Sequence, residues 1–106
     1  MWIIGGCQML TVEQIIQNYS NNDDIVIRIG YRSQGEKVLT ILSKYGFHWA
    51  MTPKIKNWQP PLFPYCLRII YSTKILRYGR EYDYQKPPFY IADAEDFLRE
   101  CALTEG

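Results

Sequence analysis

Cys66-Leu-Arg-Ile-Ile-Tyr71-Ser-Thr-Lys74-Ile-Leu-Arg-Tyr78 holds two runs of β-branched and aromatic residues on either side of a polar pair. Such side chains suit a pleated, half-buried surface. Two runs about a short polar break read as an antiparallel hairpin, here Cys66–Tyr71 and Lys74–Tyr78 turning at Ser72-Thr73. Everything on either side is ordered around that hairpin. Upstream, Pro53, Pro60, Pro61 and Pro64 fall within twelve residues. Proline removes ladder donors and fixes φ, so residues 53–64 are expected as a loop. Phe47 to Ala50 reads as a short strand ahead of it.

Further upstream, Val38, Leu39, Ile41, Leu42 and Tyr45 supply the apolar face of a helix. Ser33 and Glu36 have capping-box spacing at its start, and Gly46 stands where a helix commonly ends in a left-handed residue. Ile25, Ile27 and Ile29 alternate with Val26 and Arg28, as in a strand with one buried face. If this strand and 47–50 are parallel neighbours, the helix between them is a right-handed crossover. Thr11 and Gln14 form a first capping box, flanked by Leu10 and Ile15 at the staple positions. Val12, Ile15, Ile16 and Tyr19 follow on one helical face, and Ser20–Asp23 closes the helix as a turn.

Downstream of the hairpin, Glu81–Tyr84 and Phe89–Ile91 are shorter strand candidates on either side of Pro87-Pro88. Asp93 is placed to cap a last helix, whose stripe is Ala94, Phe97, Leu98, Cys101 and Ala102. The expected class is therefore α+β, a mostly antiparallel sheet of four or five strands with about three helices packed on it. The 106 residues read as a single domain, 1–106, with residues 1–8 as an N-terminal extension.

Composition narrows the functional classes. Twelve basic and eleven acidic residues leave a net charge of +1, which argues against a polyanion mimic and a strongly basic nucleic-acid binder. No apolar run is long enough to span a membrane, so no membrane association is expected. Gly5-Gly6-Cys7 invites a lipoprotein reading, which fails because only six residues precede the cysteine and none is basic. Cys7, Cys66 and Cys101 are odd in number and widely spaced, without a disulfide framework, so the expected compartment is the cytoplasm.

Catalytic patterns are missing. His48 is the one histidine, and no motif pairs it with a cysteine. Paired ligand spacing for zinc and the glycine-rich loops that hold nucleotides or phosphates do not occur, so no cofactor and no metal is expected. Glu81 and Asp83 would share a face if their segment were a strand, as an acid–base pair or as a solvated edge beside Arg80; the edge is favoured. Asp93, Glu95 and Asp96 complement a helix dipole. The expectation is that the protein is not an enzyme.

Charge and aromatics concentrate together. Residues 44–90 carry net +6, between a first part at −1 and a C-terminal part at −4, and hold twelve of the sixteen aromatics. Cations interleaved with rings suit single-stranded nucleic acid, and Trp, Tyr and Arg are also enriched at protein-interface hot spots. Ordinary sheet composition produces the same pattern, with rings inward and cations keeping the outer face and edges soluble. Trp58 lies in the proline-rich loop, where a ring either contacts a partner or anchors its loop on the core.

Leu42-Ser-Lys-Tyr-Gly46-Phe-His-Trp49, Leu67–Ile70, Ile75–Gly79 and Asp93-Ala-Glu-Asp96-Phe-Leu98 resemble small uncharacterised proteins of phages and mobile elements. Those proteins show a Gly-aromatic-x-Trp turn, a loop, a short hairpin, a Tyr-Gly step and a terminal acidic-Phe-Leu helix. The resemblance spans the chain from Ile41 onward and carries no catalytic residues. It implies an accessory protein that works by binding, often as an inhibitor of a host defence component, although the basic middle departs from acidic DNA mimics.

The leading expectation is a non-enzymatic protein that occludes a protein partner. Trp58 is its aromatic anchor, Lys54, Lys56, Lys74, Arg77 and Arg80 supply steering and ion pairs, and Tyr82 and Tyr84 join the contact region. The alternative is nucleic acid bound on a basic, aromatic-rich sheet, with Tyr78, Tyr82 or Tyr84 stacking on bases. A third reading is a homo-oligomer formed through an uncovered strand edge or through the acidic C-terminal helix.

Overall fold

The hairpin lies at the centre of a five-stranded mixed sheet. A computed structural model describes residues 11–19, 25–50, 58–85 and 89–105. In chain order these give α1 (Val12–Tyr19), β1 (Ile25–Ile29), α2 (Arg32–Lys44), β2 (His48–Trp49), β3 (Tyr65–Ile70), β4 (Ile75–Gly79), a 3₁₀ turn (Glu81–Tyr84), β5 (Tyr90–Asp93) and α3 (Ala94–Glu105). The strand order is β2-β4-β3-β1-β5. β3 runs antiparallel to both β1 and β4, whereas the short outer strands β5 and β2 are parallel to β1 and β4. The chain is thus α+β with a mostly antiparallel sheet, as its patterning implies.

Local chemistry explains the element ends. The Thr11 N–H donates to Gln14 Oε1 at 2.8 Å and the Gln14 N–H to Thr11 Oγ1 at 3.1 Å, a reciprocal capping box. At the end of α2 the Gly46 N–H donates to the Ser43 carbonyl and the Phe47 N–H to the Leu42 carbonyl. This is the Schellman arrangement, with Gly46 at φ +89° where a side chain would be strained. The hairpin turn spans residues 71–74, so β4 begins one residue later than the patterning suggests. Lys74 takes the left-handed conformation there (φ 62°).

Several expectations are corrected. Ser33 and Glu36 do not cap α2. The helix begins at Arg32, and the extended Tyr31 precedes it without a side-chain cap. Glu36 lies 3.8 Å from Arg32, and the buried Gln34 instead accepts the Gly30 N–H at 2.8 Å. The β1-α2-β2 unit does not join neighbours, because β3 and β4 stand between β1 and β2. Residues 81–84 form a 3₁₀ turn and not a strand. The Asp83 carboxylate accepts the Arg80 N–H at 2.9 Å and the Asp83 N–H donates to the Arg80 carbonyl at 3.0 Å, a local closure that competes with ladder pairing. Asp93, by contrast, stands where expected, directly ahead of Ala94 at the start of α3; it also ends β5, with its carboxylate 3.8 Å from Arg28. The turn expected at 20–23 and the extension 1–8 lie outside the described residues.

Alternation divides the strands between two faces. Ile27, Ile29, Tyr65, Leu67, Ile69, Leu76 and Trp49 enter one buried cluster with Val12, Ile15 and Ile16 of α1, Val38, Leu39 and Leu42 of α2, and Phe97 and Cys101 of α3. Burying one such side chain contributes about 1.5–3 kcal/mol, so this cluster holds the layers together. Val26 and Cys66 point to the opposite face and are also fully buried. The chain doubles back over that face: Glu81 bonds Arg28 at 3.0 Å, and the Tyr84 ring lies within 2.9 Å of where a Gly79 Cβ would stand. Burial pushes the Cys66 thiol up to about 11. No helix among the described residues is long and apolar enough to cross a membrane.

Candidate protein-binding cleft

Helices cover only part of the core-bearing face. α3 packs on β1 and β5, and α2 packs on β1. Over Trp49 of β2 and Tyr78 of β4 the cover is the loop 58–64. An irregular loop brings no ladder of its own, so side chains must fix it. Trp49 Nε1–H donates to the Trp58 carbonyl at 2.9 Å, and the two indoles meet edge-on at 5.5 Å. Trp58 and Trp49 both contact the Tyr78 ring, at 5.6 and 5.7 Å. Gln59, only 5% exposed, donates from Nε2 to the Arg32 carbonyl and accepts the Tyr65 hydroxyl on Oε1, both at 3.0 Å. Gly35 makes room for it: a Cβ there would stand 1.8 Å from Gln59 Oε1.

Below this pinned segment the chain turns outward and leaves a cleft of about 670 Å³. Its walls are Pro60, Leu62, Phe63 and Tyr65 on one side and Tyr78 and Arg80 on the other. Leu62 is 62% exposed and Tyr78 39%. Phe63 and Tyr65 pack at 5.4 Å, and burial raises the Tyr65 phenol pKa far above its ordinary value. The Tyr65 hydroxyl is therefore a fixed neutral donor. The Asp83 carboxylate and the exposed Arg80 stand at the rim.

The residues expected to meet a partner are placed apart. Arg80 and Tyr78 line the cleft, and Trp58 packs on Tyr78 without lining it. Trp58 is half-buried and secures its own loop on the core. Lys74 sits at the hairpin tip, its ammonium 4.1 Å from the Tyr71 ring centre and 4.7 Å from that of Phe47. Arg77 is exposed on the opposite face, in register with Arg68, whose guanidinium lies 5.5 Å from the Phe89 ring. Tyr84 is on that face too, edge-on to Phe89 at 4.8 Å, its pKa raised chiefly by burial. Tyr82 has its backbone in the 3₁₀ turn, while its side chain, like Lys54 and Lys56, lies outside the described residues. Leu62, Phe63 and Tyr65 were not singled out from the sequence. Their signal is Leu62-Phe63 set between Pro61 and Pro64, two apolar side chains in a segment that cannot join the sheet.

Other chemistry is engaged or dispersed. Glu81 is bound by Arg28 and Asp83 by the Arg80 N–H, so the two carboxylates do not face a common point. His48 is exposed on β2, whereas Cys66 and Cys101 are buried. Among the described residues no three His, Cys, Asp or Glu side chains gather as a metal site. The chain matches no protein-family model, no curated protein and no solved structure.

Proposed function

We propose that this chain is a non-enzymatic binding protein that acts by occluding a protein partner, with the cleft between residues 60–65 and β4 as its contact. One observation carries the reading. Leu62 and Tyr78 stay exposed beside an apolar cleft whose back wall is pinned by buried hydrogen bonds. Fixed, exposed apolar and aromatic side chains around a pocket, with an arginine at its rim, have the make-up of an interface hot spot. The resemblance to phage and mobile-element proteins points to a host defence component as the partner class.

Affinity co-purification from host lysate, with and without nuclease, tests this against Leu62→Lys and Arg80→Glu. A stoichiometric protein is expected to survive nuclease with the parent chain and to be lost with both variants at unchanged melting temperature. Retention by folded variants overturns the reading.

The opposite face favours a second reading. Arg68 and Arg77 are register partners there, with Phe89 beside Arg68 and Tyr84 packed on Phe89, a grouping of cations and rings that suits single-stranded nucleic acid. Against it, the Phe89 ring is engaged by both Arg68 and Tyr84. That reading requires an affinity that falls steeply with salt.

A further inference from the structure

We infer that the crevice at the carboxyl ends of β1 and β5 binds a small free α-amino acid, with its carboxylate at the start of α2 and its ammonium at the start of α3. This is separate from the protein contact proposed for the cleft. β1 and β5 lie side by side and parallel, with Arg28 and Asp93 as register partners. β1 leads through Gly30-Tyr31 into α2, and β5 leads directly into α3. Two helix N-termini therefore flank one crevice of about 160 Å³. One buried group there is unexplained. Gln34 is 6% exposed, and its Oε1 accepts the Gly30 N–H at 2.8 Å. That bond fixes which way the amide faces, because an amide nitrogen could not accept it. The Nε2 donors are left without a partner among the described residues, on a side chain that lines the crevice. Buried polar groups in native folds are nearly always paired, so an acceptor is expected there.

The charges around Gln34 choose the ligand. α2 has no side-chain cap at Tyr31 and no acidic residue in its first turn, so its first N–H groups add to the pull on an anion. The start of α3 is the reverse. The Asp93 carboxylate lies 3.8 Å from Arg28, whose guanidinium is held more closely by Glu81 at 3.0 Å. Glu95 is exposed, with no partner among the described residues. An anion alone would meet these two carboxylates, and a cation alone would leave the Gln34 donors unpaired. A zwitterion whose ammonium and carboxylate share a carbon answers both ends. The volume holds about five water-sized groups, which matches glycine or alanine and leaves larger side chains to emerge past the exposed Tyr31.

Glycine and alanine are titrated into the isotope-labelled full chain, against acetate and methylamine, which carry a single charge each. The readouts are the Gln34 side-chain amide resonance and the melting temperature. Both amino acids are expected to move that resonance saturably below about 10 mM, about tenfold tighter than acetate or methylamine, and to raise the melting temperature. Gln34→Glu keeps an acceptor for the Gly30 N–H but sets an anion where the carboxylate would lie, and should abolish binding. Glu95→Gln alters an exposed side chain and should weaken binding about tenfold, with the melting temperature of the free protein unchanged. It decides alone if Gln34→Glu does not fold. A Gln34 amide that the amino acids leave unmoved would mean that water fills the crevice, and overturns the inference. So does acetate or methylamine binding as tightly as alanine, or undiminished binding by folded Glu95→Gln. Leu62→Lys should bind alanine as the parent does, so this inference and the cleft reading fail separately.

Discussion

Over β5 and β1 the core-bearing face of the sheet is covered by helices, whereas over Trp49 of β2 and Tyr78 of β4 it is covered by residues 58–64. The helical part satisfies its own backbone and needs only an apolar stripe. Val38, Leu39 and Leu42 of α2 and Phe97 of α3 supply one with few polar contacts. The loop part has no such ladder, so it borrows polar groups from its surroundings: a buried glutamine, two indoles, a tyrosine hydroxyl and a glycine that makes space. It also fails to close over the strands, and the cleft is what it leaves open. A face sealed by helices offers a partner little, while one patched by a pinned loop presents rigid, exposed side chains at no further ordering cost on binding.

The largest expected effect lies on the helical side. Phe97 is fully buried and its ring meets Tyr19 edge-on at 5.2 Å. Phe97→Ala should cost about 3–5 kcal/mol by lost transfer energy plus the cavity it leaves. Urea denaturation measures this. A loss under about 1 kcal/mol would mean that α1 and α3 collapse onto one another and that the helical cover is not tightly specified.

On the loop side the sharpest test is Gly35→Ala. In an ordinary helix this exchange stabilises by up to about 1 kcal/mol. Here the new Cβ displaces the Gln59 amide and strands the Arg32 carbonyl and the Tyr65 hydroxyl, each costing about 1–3 kcal/mol when buried and unpaired. A net loss of about 1–3 kcal/mol is expected, with weakened capture of the partner. A gain in stability would show that Gln59 swings aside freely and that the loop is not held as argued.

The same contrast governs what could be read from the sequence. Elements fixed by neighbours in the chain were legible: the Thr11–Gln14 box, the Gly46 stop and the 66–78 hairpin all depend on residues a few positions apart. Pairings settled by distant burial were not. Nothing local tells β2 to lie beside β4 rather than β1, or β5 to run parallel to β1. Local signals also compete. Ser33 and Glu36 have the right spacing for a box, but Gln34 reaches the Gly30 N–H and the helix starts earlier. Glu81–Tyr84 has strand composition, yet Asp83 closes it on Arg80. The cleft was half legible. Trp58, Tyr78 and Arg80 drew notice as rings and cations, whereas Leu62 and Phe63 gain meaning only once Gln59 pins the loop that carries them.

A smaller effect probes the opposite face under the 3₁₀ turn. Burial raises the Cys66 thiol to about 11 from an ordinary value near 9, so the native state favours the protonated form. A raised folded pKa gives stability that is fully present below the unfolded value and is lost as pH climbs through the folded one. Stability should therefore decline from about pH 9 to about pH 11, and Cys66→Ala should flatten that slope. Urea midpoints at several alkaline pH values decide it. An unchanged slope in the variant would place the thiol in water rather than beneath the 3₁₀ turn.

The smallest expected change in stability carries the most for function. Arg77 is exposed and lies in register with Arg68 on the side of the sheet away from the helices. Arg77→Glu exchanges a like-charge cross-strand pair for an opposite one, which should stabilise by about 0.2–1 kcal/mol. The same exchange puts an anion on the face away from the cleft. Capture of a protein by the cleft should then be unchanged while the melting temperature holds or rises, whereas single-stranded nucleic acid held beside Arg68 and Phe89 should bind more weakly. Loss of protein capture in a folded Arg77→Glu variant would move the contact to the face that carries Arg68, and the cleft reading would fail.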